Sequence, residues 1–176
     1  DCSTDILKKN IKVDSDYIIC ADSGYDSASE AGIQPDLLIG DFDSIKAVPE
    51  KVEKITLPVE KDVTDTVAAF NEGIKREFTS FLLLGGTGGR FEHTFANISL
   101  MANASKENIS FKIIDDIHTF RAITNSSIKI DRRDNQQVSV FAYGDKAIGV
   151  TEDGFHYPLQ NYTLSPFDGA LGTSND

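Results

Sequence analysis

The apolar and polar positions of this chain alternate in two periods, which predict strands and helices in turn. Short continuous apolar runs are typical of strands buried on both faces of a sheet. Apolar residues that recur every three or four positions are typical of amphipathic helices. The predicted strands are 17–21, 36–40, 53–57, 81–84 and 109–114, and the predicted helices are 5–12, 27–32, about 62–78 and 91–103. This order predicts an N-terminal α/β domain with a mainly parallel sheet.

The pattern changes after about residue 117. Short β-like stretches at 127–131, 136–143 and 147–151 are separated by turn residues, and no helical period appears. We therefore expect two domains, an α/β domain at 1–116 and an all-β sandwich at 117–176. The chain begins without Met and stops at Asn-Asp, so we expect the second domain to be truncated at its C-terminus.

Composition excludes several classes of partner. The chain has 17 Lys and Arg against 28 Asp and Glu, a net charge of −11. Such a deficit of cations argues against nucleic acid and anionic membrane surfaces as partners. Two cysteines provide neither a disulfide framework nor a zinc site, and no apolar run is long enough to span a membrane. We expect a cytoplasmic protein.

The first chemical motif is the segment 40–44, GDFDS, at the end of a predicted strand. Ligands of parallel α/β sheets bind beyond the carboxyl ends of the strands. Alternate side chains of an extended segment share a face, so Asp41 and Asp43 could converge on one Mg²⁺ ion, which prefers oxygen ligands. A simple turn would use the same residue types, and the motif alone leaves both possibilities open.

The second motif is the segment 61–65, KDVTD, at the start of the predicted helix. Asp62, a natural N-cap, and Asp65 lie on nearby faces of the first turn, where acidic residues also complement the helix dipole. The additional presence of Lys61 and Thr64 predicts a binding site for phosphate and metal.

The third motif is the segment 85–90, GGTGGR, directly after a buried strand. Glycines such as Gly86 and Gly89 let the backbone approach a ligand and direct its N–H groups inward, and Arg90 could bind phosphate. A flexible loop would explain the glycines without any ligand. His93 follows on the next helix, where a lone histidine is more often structural than catalytic.

Taken in order, these motifs resemble those of the thiamine pyrophosphokinase family. The resemblance rests on segments 21–24, 40–44, 61–65 and 88–93, and on the terminal GTSN at 172–175. It implies an α/β domain, a β-sandwich, a homodimer, and transfer of the terminal diphosphate of ATP to the hydroxyl of thiamine with release of AMP. Two departures stand out, Ser23 in place of a second small residue and Glu92 in place of the usual Asp.

The motifs and the resemblance together give an expected set of site residues. We expect Asp41, Asp43 and Asp65 to bind Mg²⁺ and to be the catalytic residues. The nucleotide would contact Asp22, Gly24, Asp62, Thr64, Gly86, Gly89 and Arg90. Thiamine would contact His93, Ser174 and Asn175, with the last two acting across the dimer.

Two other functions remain open at this point. A phosphatase of the haloacid-dehalogenase type also uses an Asp-x-Asp after a strand and a later acidic pair, for which Asp115 and Asp116 could serve. The phosphatase pattern has Thr or Val at the position of Ile45, and it leaves the segments 61–65 and 85–89 unexplained. A non-catalytic nucleotide sensor on the same scaffold is the second alternative, because Glu92 departs from the family pattern.

Overall fold

The computed structural model describes residues 2–58, 60, 62–131 and 136–168. The helices are α1 (Thr4–Asn10), α2 (Gly24–Glu30), α3 (Asp65–Lys75) and α4 (Phe91–Lys106). The strands are β1 (Ile19–Ala21), β2 (Leu37–Gly40), β3 (Glu53–Thr56), β4 (Ser80–Leu84), β5 (Ser110–Ile114), β6 (Thr119–Arg121), β7 (Ala147–Val150) and β8 (Tyr162–Leu164). None of these helices is long and apolar enough to cross a membrane.

The chain divides into two compact units, Asp1–Ser126 and Ser127–Asp176. The division falls later than the boundary expected from sequence, because β6 pairs antiparallel with β5 and so joins the first unit. In the second unit β7 pairs antiparallel with β8. The stretches predicted as strands at 127–131 and 136–143 do not form strands within their described residues, whereas 147–151 contains β7.

In the first sheet, β2 lies between β1 and β3 and pairs parallel with both. All four residues of β2 are buried, as a continuous apolar run predicts. Parallel pairing brings the carboxyl ends of β1 and β2 to the same edge, with Ala21 opposite Ile39. The residues that follow these two strands therefore meet at that edge.

In the second sheet, β5 lies between β4 and β6. The pairing of β4 with β5 is parallel, with Leu84 opposite Ile114. The prediction that 81–84 is fully buried was wrong, because alternate residues of β4 face outward and Leu82 is 41% exposed. The glycine loop at 85–89 leaves this sheet beside the turn between β5 and β6.

Two hydrophobic clusters support the two sheets. One contains Leu7, Cys20, Ala28, Ala31, Ile33 and Leu38, with Phe42, Ile45 and Leu84 packed against it. The other contains Met101, Ala104, Phe111 and Ile113, with Phe70 and Phe81 packed against it. The first cluster connects the two sheets, because Phe42 follows β2 and Leu84 ends β4.

The helix predicted from 62 begins later than its pattern indicated. The N-cap of α3 is Thr64, whose Oγ1 accepts a hydrogen bond from the Val67 N–H at 3.3 Å. The prediction of Asp62 as the N-cap was therefore wrong, because Thr64 Oγ1 accepts the hydrogen bond from the first helical turn that Asp62 was expected to accept. Asp62 lies in the preceding bend and is exposed.

Candidate active site

Asp22 directly follows β1 and turns the chain into α2. Its backbone has a positive φ of 45°. Its N–H donates to the Ile39 carbonyl oxygen at 2.9 Å, and its own carbonyl oxygen accepts from the Tyr25 N–H at 3.0 Å. The backbone of Asp22 is thus fixed both to β2 and to the first turn of α2.

Gly40, the last residue of β2, lies against Asp22. Its φ is +155°, and a Cβ at this position would lie 3.2 Å from the Asp22 Cβ and 3.3 Å from its Cα. Such contacts are tighter than side chains normally make, and the φ value favours glycine. The absence of a side chain therefore lets the ends of β1 and β2 approach each other closely.

The next residues place two more carboxylates at the same edge. Phe42 has a positive φ of 65° and packs against the first hydrophobic cluster, so that Asp41 and Asp43 flank a packed ring. The Asp43 N–H donates to Asp41 Oδ1 at 3.3 Å, and Ser44 Oγ donates to Asp43 Oδ1 at 2.8 Å. A non-glycine residue at positive φ is uncommon, and such strain clusters at functional sites.

Asp22, Asp41 and Asp43 form an acidic cluster. Each offers a carboxylate oxygen, and these oxygens all lie within 4.8 Å of one another. Asp22 Oδ1 is buried, and no partner for it appears in the part of the chain that the structure describes. A buried ionised oxygen without a partner is costly, and hard divalent cations accept such ligands. The donor set therefore fits Mg²⁺.

This cluster differs from the set expected from sequence, in which Asp65 joined Asp41 and Asp43. Asp22, expected to contact nucleotide, provides the third carboxylate within the 4.8 Å group. Asp65 is the half-buried first residue of α3, next to the capping Thr64. The cap uses a lone pair of Thr64 Oγ1, which leaves its hydroxyl hydrogen available to another acceptor. Lys61 lies outside the described residues.

The glycine loop follows β4, and its first residues are tightly packed. Gly86 has no room for a side chain, since a Cβ would lie 2.5 Å from Leu83 Cδ2. Its carbonyl oxygen accepts from Asn97 Nδ2 of α4 at 2.7 Å. In contrast, a Cβ at Gly89 or at Gly24, which begins α2, would meet open space. The end of the loop is therefore open to a ligand.

Arg90 and Glu92 form an ion pair at the start of α4. Both Arg90 Nε and Nη2 lie 2.6 Å from Glu92 Oε1, and both side chains are largely exposed. A hydrogen bond from its own backbone N–H and then the Arg90 contact lower the pKa of Glu92. His93 is exposed on the same turn. Ser174 and Asn175, expected to contact thiamine, lie outside the described residues.

Sequence reasoning missed two residues that shape the loop. Asp115, considered from sequence only as part of the acidic pair of the phosphatase alternative, accepts a hydrogen bond from Thr87 Oγ1 at 2.5 Å. Asn97, which was given no role, is buried and holds Gly86. A polar residue one helical turn before the apolar Met101 was the one available signal for Asn97, while no local pattern marks Asp115.

Comparison with protein-family models identifies two domains in this chain. Residues 8–113 match the thiamin pyrophosphokinase catalytic domain. Residues 125–176 match the thiamin pyrophosphokinase vitamin B1 binding domain.

Individual proteins give the same result. Thiamine pyrophosphokinase of Bacillus subtilis (strain 168) is 30% identical over 150 residues, which are 81% of this chain and 70% of that protein. Thiamin pyrophosphokinase 1 of Caenorhabditis elegans is 24% identical over 152 residues, 81% of this chain and 62% of that protein. The chain thus spans about two thirds of the length of these curated relatives.

Solved structures agree in fold. The crystal structure of the Bacillus subtilis enzyme superposes with a TM-score of 0.79 at 28% identity, covering 90% of this chain and 77% of that one. A thiamin pyrophosphokinase family protein from Enterococcus faecalis gives a TM-score of 0.74 at 22% identity, covering 95% and 82%, and shows the fold alone. Together with the two family models, these similarities show that the chain belongs to the thiamin pyrophosphokinase family.

Proposed function

We propose that this protein is a thiamine diphosphokinase, which transfers the diphosphoryl group of ATP to the hydroxyl of thiamine and releases AMP. The observation that carries the proposal is the acidic cluster of Asp22, Asp41 and Asp43 at the carboxyl ends of β1 and β2. In α/β sheets this is the edge where ligands bind. The family match supplies the two substrates, and the cluster supplies a place for the cation that must accompany ATP.

In the proposed reaction the hydroxyl oxygen of thiamine forms a bond to the β-phosphorus of ATP. The bond from that phosphorus to the oxygen bridging the α- and β-phosphates breaks, AMP leaves with the electron pair, and a carboxylate accepts the hydroxyl proton. When bound, Mg²⁺ supplies neutralisation of the charge on the phosphate oxygens. The protein must align the reactants and stabilise developing charge.

The side chains of this chain divide that task. Asp22, Asp41 and Asp43 would hold the cation, because the net charge of −11 requires that phosphate charge be neutralised locally. Thr64 and the N–H groups at the open end of the glycine loop would donate to phosphate oxygens. Asp65 remains a candidate for the hydroxyl proton or for the same cation.

Arg90 and Glu92 make a further contribution to the proposed site. The guanidinium of Arg90 would contact phosphate from the rim of the loop while Glu92 steadies it. A longer acid than the family's usual Asp at position 92 is compatible with this pairing, since the contact between the two side chains is 2.6 Å.

The remaining features follow from the family and stay part of the proposal. The first unit would bind ATP, and the second would bind thiamine through Ser174 and Asn175. His93 would also contact thiamine. The active form would be a cytoplasmic homodimer in which the two substrates meet between subunits.

The phosphatase alternative is not favoured by the family match or by the second acidic pair. Both oxygens of Asp115 accept hydrogen bonds, from Thr87 and from the N–H groups of Ile117 and His118. Asp116 accepts from the N–H and Oγ of Ser3. These carboxylates are engaged in holding the fold and do not form part of a metal cluster in the described residues.

The test is incubation of the protein with ATP, Mg²⁺ and thiamine, followed by chromatography of AMP and thiamine diphosphate. We expect the two products in equal amounts, and none without thiamine or with a chelator. Nucleotide binding without AMP release would favour a sensor. Release of phosphate from simple esters without thiamine would favour a phosphatase.

A further inference from the structure

Asp115, at the turn between β5 and β6, is held rigidly by its own turn. Its Oδ1 accepts from the N–H groups of Ile117 at 2.7 Å and of His118 at 2.5 Å. Its own N–H donates to the His118 carbonyl oxygen at 3.0 Å. These hydrogen bonds within the turn fix the orientation of the carboxylate independently of its contacts outside the turn.

The other oxygen of Asp115 reaches the glycine loop. Oδ2 accepts from Thr87 Oγ1 at 2.5 Å and lies 3.3 Å from His118 Nδ1. Thr87 is buried and the Asp115 side chain is 13% exposed, so the hydrogen bond is sheltered from water. Burial opposes ionisation of Asp115, but the hydrogen bonds from Thr87, from the two N–H groups and from His118 outweigh it and lower its pKa to about 2.

This contact joins two others that hold the first half of the loop. The Gly85 N–H donates to the Ile114 carbonyl oxygen at 3.3 Å, and the Gly86 carbonyl accepts from Asn97 at 2.7 Å. Thr87 is the last of these fixed points before the glycines at 88 and 89. A glycine-rich segment has large conformational entropy, so its N–H groups bind an anion well only if the loop is ordered beforehand.

We propose that Asp115 is a positioning residue for nucleotide: by holding Thr87, it fixes the glycine loop in the shape whose N–H groups receive the polyphosphate of ATP. The inference rests on the proposed function, since it assigns the loop to ATP. Asp115 acts through Thr87 and does not touch the substrate. Asp116, its neighbour in sequence, has a different partner, Ser3 at the N-cap of α1.

The test compares Thr87→Val, Thr87→Ser, Asp115→Asn and the double variant Thr87→Val/Asp115→Asn. Valine keeps the shape of threonine without its hydroxyl, whereas serine keeps the hydroxyl. The Asp116→Asn variant controls for the loss of one negative charge at the same turn. The measurements are the Kd for a non-hydrolysable ATP analogue with Mg²⁺, the KM values for ATP and thiamine, and thermal unfolding.

We expect Thr87→Val and Asp115→Asn each to weaken analogue binding and raise the KM for ATP by about tenfold. Thr87→Ser should recover most of that loss, and the KM for thiamine should not change. The double variant should lose no more than either single variant, because both alter the same contact between Thr87 and Asp115. Asp116→Asn should bind the analogue like the parent protein.

Three results would overturn the inference. Thr87→Val could bind the analogue as tightly as the parent, the losses of the two single variants could add, or the KM for thiamine could rise in step with that for ATP. If Asp115→Asn does not fold, the affinity of Thr87→Val for the analogue decides the question alone. A parent protein that binds no nucleotide would overturn the proposed function as well, whereas a parent that binds it alongside unaffected variants would overturn only this inference.

Discussion

The ends of the two sheets carry aspartates in opposite electrostatic situations. At the end of the first sheet, Asp22, Asp41 and Asp43 bring three carboxylates together, and one buried oxygen of Asp22 has no partner among the described residues. At the end of the second sheet, Asp115 accepts hydrogen bonds on both oxygens. The first group concentrates negative charge, whereas the second carboxylate is already satisfied by donors.

This difference indicates what each aspartate does. Like charges held close together destabilise one another unless a cation is bound, so the first cluster is suited to an external ligand. A carboxylate saturated by donors gains little from a cation, so Asp115 is suited to holding other protein groups in place. Phe42 and Leu84 pack against the same hydrophobic cluster, which connects the backbones of the two regions.

Substitution of the acidic cluster should have the largest effect on activity. Asp41→Asn removes a charged ligand while keeping the shape of the side chain, so we expect AMP formation to fall by at least about a hundredfold with the fold retained. Initial rates with ATP, Mg²⁺ and thiamine measure this. Asp14→Asn, an exposed position in the turn after α1, is the matched control for charge. Near-normal turnover by Asp41→Asn would refute the proposed metal role.

Gly40→Ala should disturb the acidic cluster through the backbone. The added Cβ would press on Asp22 at 3.2 Å, and the φ of +155° is strained for alanine. We expect about 1–3 kcal/mol of lost stability and roughly tenfold lower activity. Denaturant unfolding and initial rates measure the two effects.

Gly144→Ala is the control for that variant, because its φ of +82° is also strained but its Cβ would meet open space. It should lose stability without losing catalytic rate per folded molecule. Equal losses of activity in both glycine variants would show that strain alone, and not displacement of Asp22, explains the result.

The pH dependence of stability should distinguish Asp115 from the acidic cluster. Its folded pKa of about 2 lies below the ordinary value of 3.8, so its contribution is fully present above pH 3.8 and is lost as the pH falls through about 2. We expect Asp115→Asn to cost about 1–2 kcal/mol near neutral pH and to match the parent only below about pH 2. Urea unfolding across this range tests it, and a pH-independent difference would contradict the assignment.

The smallest expected effect is on the stability of the metal-free protein. Asp43→Asn should relieve repulsion within the acidic cluster and raise Tm by about 2–4 °C in the presence of a chelator. Addition of Mg²⁺ should raise the Tm of the parent more than that of the variant. A lower Tm for the metal-free variant would indicate that Asp43 serves mainly as the acceptor for Ser44.

The sequence predicted local features well, but it predicted less well which residues distant along the chain lie close together in the fold. The strand at Leu37–Gly40 and the two aspartates after it follow directly from a buried apolar run that ends in polar residues. The addition of Asp22 depends on the pairing of β1 with β2, and no local pattern specifies that register. Asp65 was expected as the third carboxylate because aspartates are common both at the start of helices and at the end of strands.

The same limit explains the other differences. A pair of aspartates after a strand is usually a solvated turn, and the partner of Asp115 lies 28 residues away at Thr87. Strand β6 was missed because three residues carry too little periodicity to identify a strand. The capping of α3 by Thr64 instead of Asp62 is a choice between two residues that are both favoured at that position.

Calorimetric titration of Mg²⁺ into the metal-free parent protein and into Asp22→Asn measures whether the acidic cluster binds the cation. The structure, and not the sequence, identified Asp22 as a member of the acidic cluster. Its buried Oδ1 has no hydrogen-bond partner among the described residues. We expect the parent to bind Mg²⁺ and the variant to bind it at least about tenfold more weakly. Equal affinities of the two proteins for Mg²⁺ would show that Asp22 is not a ligand of the cation.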